Sequence, residues 1–227
     1  MKKPLTFHIV TLFPEAFDSY LTSSIIGRAI RDKKIGVKFY NPRDFAKNKW
    51  HRVDQRPYGG GPGMVLEAEP FIRAVEKALK GKKGTVYFFD RSGKAFENTD
   101  AVKLAKTAQD IVFVCGHYEG VDARVQKILK AKKISIGGYT LTGGELPALV
   151  VIDAVSRHIK GVLGKEESIE EKRIASSEVY TRPEAFVWKG KKYKVPAVLL
   201  SGNHAKIEAW KRTRVGQKGK GLSTGGL

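Results

Sequence analysis

The sequence predicts an α/β domain built on a mostly parallel sheet, and two patterns predict it. Short runs rich in Val, Ile, Phe and Tyr, bounded by Gly, Pro or Lys, recur between residues 5 and 141. Longer stretches with helical periodicity lie between them. Strands that alternate with helices in this way argue for crossover connections and a parallel sheet. In such sheets a ligand sits at the carboxyl ends of the strands, where the connecting loops gather.

Taken in order, LTFHIVTLF (5–13) reads as the first strand and residues 15–33 as the first helix. VKFY (37–40) is a strand, AEPFIRAVEKAL (68–79) a helix and TVYFFD (85–90) a strand. Residues 98–107 carry a helical pattern, IVFVCG (111–116) a strand and EGVDARVQKILK (119–130) a helix. ISIGGYTL (134–141) is the last strand, and LPALVVIDAVSRHI (146–159) the helix after it. Beyond residue 160 the texture changes. Residues 161–178 are polar and aperiodic, a linker or mobile loop. NHAKIEAWKRTR (203–214) reads as one basic helix and QKGKGLSTGGL (217–227) as a disordered tail.

Charge is the unusual property of the composition. The chain has 227 residues with 42 Lys+Arg against 23 Asp+Glu, a net charge of +19. An excess of this size points to a polyanionic partner, and nucleic acid is the commonest. The last forty residues sharpen the bias: from Trp188 onward there are ten Lys/Arg and a single acid, Glu208. Cys115 is the only cysteine, which excludes an intrachain disulfide and argues against a zinc cluster. Its setting in IVFVCGH is that of a small buried hydrophobe. The basic start MKKPLTFHIVTLF has too short an apolar run, interrupted by His8 and Thr11, for a signal peptide. No segment approaches a membrane span, so a cytoplasmic protein is expected.

The standard nucleotide and zinc-protease motifs are missing. In their place stand three glycine-rich loops: PYGGGPGM (57–64), CGHYEG (115–120) and SIGGYTLTGGELPA (135–148). Two of them follow or overlap an expected strand end, where bare backbone can approach a flat ligand and offer it N–H and C=O groups.

Taken with their flanks, these loops have a resemblance. VDQRPYGGGPGM, VCGHYEGVDARV, SIGGYTLTGGELPALVVIDAVSR, GVLG, YTRPE and VLLSGNHAKIEAWKR occur in that order, and the resemblance runs from Leu12-Phe-Pro-Glu to about residue 214. Together they closely resemble the bacterial tRNA (guanine-N1)-methyltransferases of the SPOUT superfamily. The resemblance implies an α/β SPOUT fold with a deep trefoil knot over residues 1–160, a mobile catalytic loop at 161–178, and a small, shortened, basic helical C-terminal domain at 179–227. It implies S-adenosylmethionine as methyl donor, tRNA as substrate, a homodimer with a composite active site, and methylation of the guanosine 3′ of the anticodon.

Residue by residue, the resemblance places Gly116, Tyr118, Glu119, Ile136, Gly137, Gly138, Tyr139, Thr140, Leu141, Gly143, Gly144 and Pro147 around the cofactor. Tyr58, in the triple-glycine loop, would offer a flat face to the target base, with His51 and Asp54 beside it. Ser201, Asn203 and His204 match the family's SGNH block. Arg157 matches its catalytic arginine, a fixed cation for charge that develops on guanine O6.

The general base is where the match degrades. Counting from GVLG, the family's aspartate position falls on Lys172, with Glu170 and Glu171 just before it. A gap of one residue gives the role to Glu171, with Glu170 as second candidate. Gly138 and Gln55 also stand where the family has acidic residues, and Arg91 where it has proline. Magnesium is implied by the resemblance alone, and the sequence assigns it no ligands. Two other readings stay open at this point: a basic RNA-binding protein that keeps the knot without catalysis, and a SPOUT methyltransferase for another RNA. Arg157 and the cradle glycines favour an enzyme; the missing aspartate favours the binding protein.

Overall fold

The computed structural model describes residues 4–107, 109–163 and 178–215. It divides into two compact units, residues 1–164 and residues 165–227. In chain order the first unit contains β1 (Leu5–Val10), α1 (Asp18–Leu21), α2 (Ser24–Arg31), β2 (Ile35–Tyr40), β3 (Asp54–Gln55) and β4 (Val65–Leu66). It continues with α3 (Ala68–Leu79), β5 (Gly84–Ala95), α4 (Asn98–Ala105), β6 (Asp110–Val114), α5 (Ala123–Ile128), β7 (Lys132–Ser135) and α6 (Glu145–Ser156). The second unit holds β8 (Ala185–Trp188), β9 (Lys191–Lys194), α7 (Ala197–Leu200) and α8 (His204–Val215).

Five strands form one sheet in the order β2-β1-β6-β5-β7, and every pairing in it is parallel. The side chains of each strand alternate between two cores. Phe7 and Ile9 of β1, with Ile111 and Phe113 of β6, face the layer that includes α2 and α6. Val10, Val112 and Val114 face α3 and α5. β6 lies between β1 and β5, and its IVFV run is buried on both faces, which is why it reads as continuous rather than alternating apolar sequence. The expected mostly parallel α/β architecture is therefore present.

Several boundaries differ from the sequence reading, each for a local reason. The single helix expected over 15–33 is broken into a 3₁₀ turn, α1 and α2. At the break, the Thr22 and Ser23 hydroxyls donate to the carbonyls of Asp18 and Ser19, and Ser24 takes a positive φ of 47°. The strand expected over 134–141 ends at Ser135, whose hydroxyl donates to the Gly137 carbonyl and turns the chain. The helix expected over 119–130 begins only at Ala123, because Asp122 caps it by accepting from Arg124 N–H. β5 runs past its expected end to Ala95, with an irregularity between Phe89 and Lys94 in its pairing with β7.

The hairpin β8–β9 and the short helix α7 were not expected. α8 occupies the basic segment expected to be helical. The linker beyond residue 163 and the tail beyond residue 215 lie outside the described residues.

Candidate functional site

β6 and β7 flank β5, so the chain passes from one side of β5 to the other between residues 114 and 132. The loops that leave β6 and β7 then meet beyond the carboxyl ends of the strands. His117 and Gly143 form an antiparallel backbone bridge, and Gly144 N–H donates to the Gly116 carbonyl at 3.0 Å. Between these loops and the end of β5 lies a cleft of about 270 Å³. It is lined by every residue expected around the cofactor except Gly138. Gly138 faces open space instead, so no neighbour demands a glycine there.

Close approach explains the glycines at the loop crossing. A β-carbon on Gly144 would stand 2.6 Å from Cys115 Cα, and one on Gly143 would fall on the His117 ring and the Glu145 carboxylate. At Gly144 the obstacle is backbone and only hydrogen fits; at Gly143 a β-carbon would have to displace those two side chains and break their hydrogen bond.

Under the crossing runs a set of hydrogen bonds that sequence reading missed. The buried Thr11 hydroxyl donates to Glu145 Oε1 at 2.6 Å, and Glu145 Oε2 lies 2.7 Å from His117 Nε2. Thr11 Oγ1 in turn accepts from Phe13 N–H, and the Phe13 ring packs on the His117 ring at 4.6 Å between centroids. A buried carboxylate is tolerated because both of its oxygens are hydrogen-bonded. It joins the end of β1, the first cleft loop and the start of α6. Cys115 lies alongside, fully buried, and burial together with the Glu145 charge pushes its thiol well above the usual range. The structural role expected for Cys115 stands.

Further walls of the cleft lie outside the set expected around the cofactor, among them Phe89, Asp90, Arg91, Ser135 and Thr142. Asp90 accepts from Lys133 and Ser92, which hold its carboxyl down to about 2. Asp90 and Glu119 supply acidic side chains to the cleft, and Arg91 a basic one. Asp90 lies within β5 and is paired with Lys133 from β7, a long-range contact that gave it no sequence signal of its own.

The triple-glycine loop is explained by backbone conformation rather than by crowding. Gly59, Gly60, Gly61 and Gly63 have φ of 86°, 79°, 110° and 82°, a region that L side chains rarely adopt. The first three face open space, whereas Gly63 lies against the Glu119 side chain. Glu119 N–H donates to the Met64 carbonyl, and Leu66 exchanges hydrogen bonds with Gly120 and Asp122, so this loop is stitched to the first cleft loop. Tyr58 is fully exposed, which removes it from any core. It stands on a second, broader cleft with Arg56, Arg73 and Arg124.

His51 is exposed, and its Nδ1 lies 3.0 Å from the Arg43 carbonyl. Arg43 places its guanidinium over the Phe13 ring and donates to the Leu12 carbonyl, so His51 is tied to the cleft floor through two residues. Asp54 lies in β3, opposite Leu66.

Arg157 is the C-terminal cap of α6, and it forms no side-chain hydrogen bond or ion pair among the described residues. Pro147, at the cleft, is ten residues earlier, about 15 Å along a helix that rises 1.5 Å per residue. That is more than the length of an arginine side chain from this wall of the cleft.

Ser201, Asn203 and His204 lie in the second unit. Ser201 Oγ donates to the Val198 carbonyl, Asn203 Oδ1 accepts from Lys206 N–H to cap α8, and exposed His204 opens that helix. Glu170 and Glu171 fall outside the described residues.

Comparison with known proteins places this arrangement in context. The family model described as tRNA (Guanine-1)-methyltransferase TrmD matches residues 5–221. The tRNA (guanine-N(1)-)-methyltransferase of Clostridioides difficile (strain 630) is 44% identical over 215 residues, covering 92% of this chain and 91% of its own length. That of Campylobacter jejuni (strain ATCC 700819 / NCTC 11168) is 43% identical over 222 residues, 95% of this chain and 94% of its own. That of Moorella thermoacetica is 46% identical over 211 residues, 90% and 82% respectively.

Proposed function

Because the chain belongs to the tRNA (guanine-1)-methyltransferase family, we propose that it transfers a methyl group from S-adenosylmethionine to N1 of guanosine 37, immediately 3′ of the tRNA anticodon. The observation that carries this reading is the cleft at the strand ends, which gathers the residues expected around the cofactor, Gly138 apart. The SPOUT knot belongs to the same reading, supported by the passage of the chain across β5 and the paired loops beyond it.

S-adenosylmethionine fits what the cleft offers. Gly143 and Gly144 leave bare backbone where any β-carbon would collide. Ile136, Leu141 and Pro147 give apolar surface suited to an adenine ring, with Tyr118 and Tyr139 exposed beside them. Asp90 and Glu119 match the positive sulfonium and ammonium groups. When bound, the donor supplies an electrophilic methyl carbon.

The chain's own residues then have two tasks. N1 of guanine carries a proton that a base must accept, and we assign this to Glu171, with Glu170 beside it. Negative charge builds toward O6, and the Arg157 guanidinium stabilises it. His51, Asp54 and Tyr58 hold the base, while Ser201, Asn203 and His204 belong to the tRNA-binding region. Among the described residues no group of three or more His, Cys, Asp or Glu could hold a metal ion. Magnesium is therefore given no step.

The distance from Arg157 to its own cleft supports a homodimer with shared sites. Leu146 and Val150, both exposed, lie with Asp153 and Arg157 along one side of α6, at successive spacings of four, three and four residues. Two copies paired about a two-fold axis through this face would cover the apolar pair and carry each Arg157 toward the other copy's cleft. No helix among the described residues is long and apolar enough to cross a membrane.

The test is mass spectrometry of nucleosides from a tRNA transcript incubated with the protein and S-adenosylmethionine. 1-Methylguanosine should appear with guanosine at position 37 and vanish with adenosine there. Donor binding without 1-methylguanosine on any tRNA would refute the reading.

A further inference from the structure

Residues 185–194 read AFVWKGKKYK, with three aromatics, four lysines and no acid. They form the two-stranded hairpin β8–β9, in which Phe186 pairs with Tyr193 and Trp188 with Lys191. The turn residues Lys189 and Gly190 have φ of 47° and 74°, the two positive values of a type I′ turn. This tight connection fixes the register, and register decides which side chains share a face. Phe186, Trp188, Lys191 and Tyr193 fall on one face; Val187, Lys192 and Lys194 fall on the other.

The aromatic face is ordered but uncovered. The Phe186 and Tyr193 rings stack at 5.5 Å with 20° between their planes, and Lys191 Nζ lies 5.5 Å over the Tyr193 ring. Yet Phe186, Trp188 and Tyr193 remain 55%, 62% and 43% exposed. Three large rings left in water on a hairpin that has little stability of its own call for an occupant.

Charge identifies it. Protein interfaces are enriched in aromatics but depleted of lysine. Here lysines stand on the aromatic face, at the turn and on the back, with no acid among them. Rings interleaved with cations are the make-up of surfaces on which nucleobases stack while phosphates meet the cations. Paired bases hide their faces within the duplex, so only unpaired ones can use such a surface.

We infer that the Phe186–Trp188–Tyr193 face of this hairpin is a stacking platform for unpaired nucleobases of the RNA substrate. The inference rests on the proposed tRNA reading for the identity of that RNA, and on the hairpin alone for the mode of binding.

The experiment measures binding of the full chain, at one fixed salt concentration, by fluorescence anisotropy. The probes are a tRNA transcript, a single-stranded 12-mer RNA and a blunt duplex of equal length. Wild type should bind the single strand tighter than the duplex. Trp188→Leu keeps apolar bulk but removes the ring, and should weaken single-strand and tRNA binding about tenfold. Trp188→Phe keeps a ring and should stay within about threefold of wild type. Circular dichroism confirms that both variants fold. Three results would overturn the platform: Trp188→Leu binding the single strand like wild type, Trp188→Leu losing single strand and duplex equally, or a change of oligomeric mass on sedimentation. The last would make the face a protein interface. The two readings fail separately. If wild type methylates guanosine 37 while Trp188→Leu binds RNA normally, the platform falls and the enzyme stands. If no tRNA is methylated yet the ring dependence holds, the platform stands and the enzyme reading falls.

Discussion

Replacing Glu145 with alanine tests whether the cleft is held in shape from below. The substitution removes the acceptor of the Thr11 hydroxyl at 2.6 Å and the partner of His117 at 2.7 Å. Thr11 is fully buried, so its hydroxyl proton would be left without a partner, and each stranded buried group costs about 1–3 kcal/mol. The part-buried His117 ring loses a hydrogen bond to a charged partner as well, and together these put the loss at about 3 kcal/mol. For a domain of this size that lowers the melting temperature by about 6–12 °C. Glu145→Gln is the sharper control. Its amide keeps one acceptor and one donor at nearly the same positions, so a loss of about 1 kcal/mol is expected. Because His117 is bridged to Gly143 across the cleft, Glu145→Ala should also weaken S-adenosylmethionine binding, measured by calorimetry, and Glu145→Gln should restore most of it. If Glu145→Ala melts with wild type and binds the donor equally well, the hydrogen bonds beneath the loops do not hold the cleft in shape.

Arg157→Ala should cut turnover about 100-fold or more while leaving donor binding intact. Mixed with a Gly144→Ala protein, whose added methyl would meet Cys115 Cα at 2.6 Å, it should regain activity through mixed dimers; no recovery refutes the shared site. Asp90, held down to about 2 by Lys133 and Ser92, contributes stability that is fully present above the ordinary carboxylate value of about 4 and is lost as pH falls through about 2. Asp90→Asn should therefore lower stability by about 1 kcal/mol at pH 7, after discounting for solvent screening, and urea melts repeated down to about pH 2 should narrow the difference between the two proteins. Cys115, fully buried with its thiol raised, should resist iodoacetamide at pH 8 until urea unfolds the chain; rapid native labelling would place it at the surface.

What was legible in the sequence was what short-range pattern encodes. AEPFIRAVEKAL forms α3 at its expected bounds because its apolar positions line one face. The glycine-rich loops were legible as walls of a cleft because two of them follow strand ends, and the motifs contained most of the lining residues. Long-range pairing was not legible. Nothing in the vicinity of Thr11 announces that its hydroxyl meets Glu145, and His117 reads in sequence as one more loop histidine. The hairpin β8–β9 was missed because lysines fill its strand positions, and Lys-Gly is a weaker turn signal than Asn-Gly. The break between α1 and α2 was hidden by an apolar periodicity that runs straight through it, while two hydroxyls bond back and end the first helix. Arg157 was legible as a residue type in a motif, but its separation from its own cleft emerges only from the length of α6.

The order of the sheet has a consequence for how the protein is made. β1 lies between β2 and β6, and Asp110–Val114 leaves the ribosome about 100 residues after β1 does. At roughly 5–20 residues per second, the growing chain carries one unpaired edge of its most apolar early strand for about 5–20 s. Such an edge is a template for pairing with another chain. A chaperone that shields residues 5–10 until β6 emerges should therefore raise soluble yield.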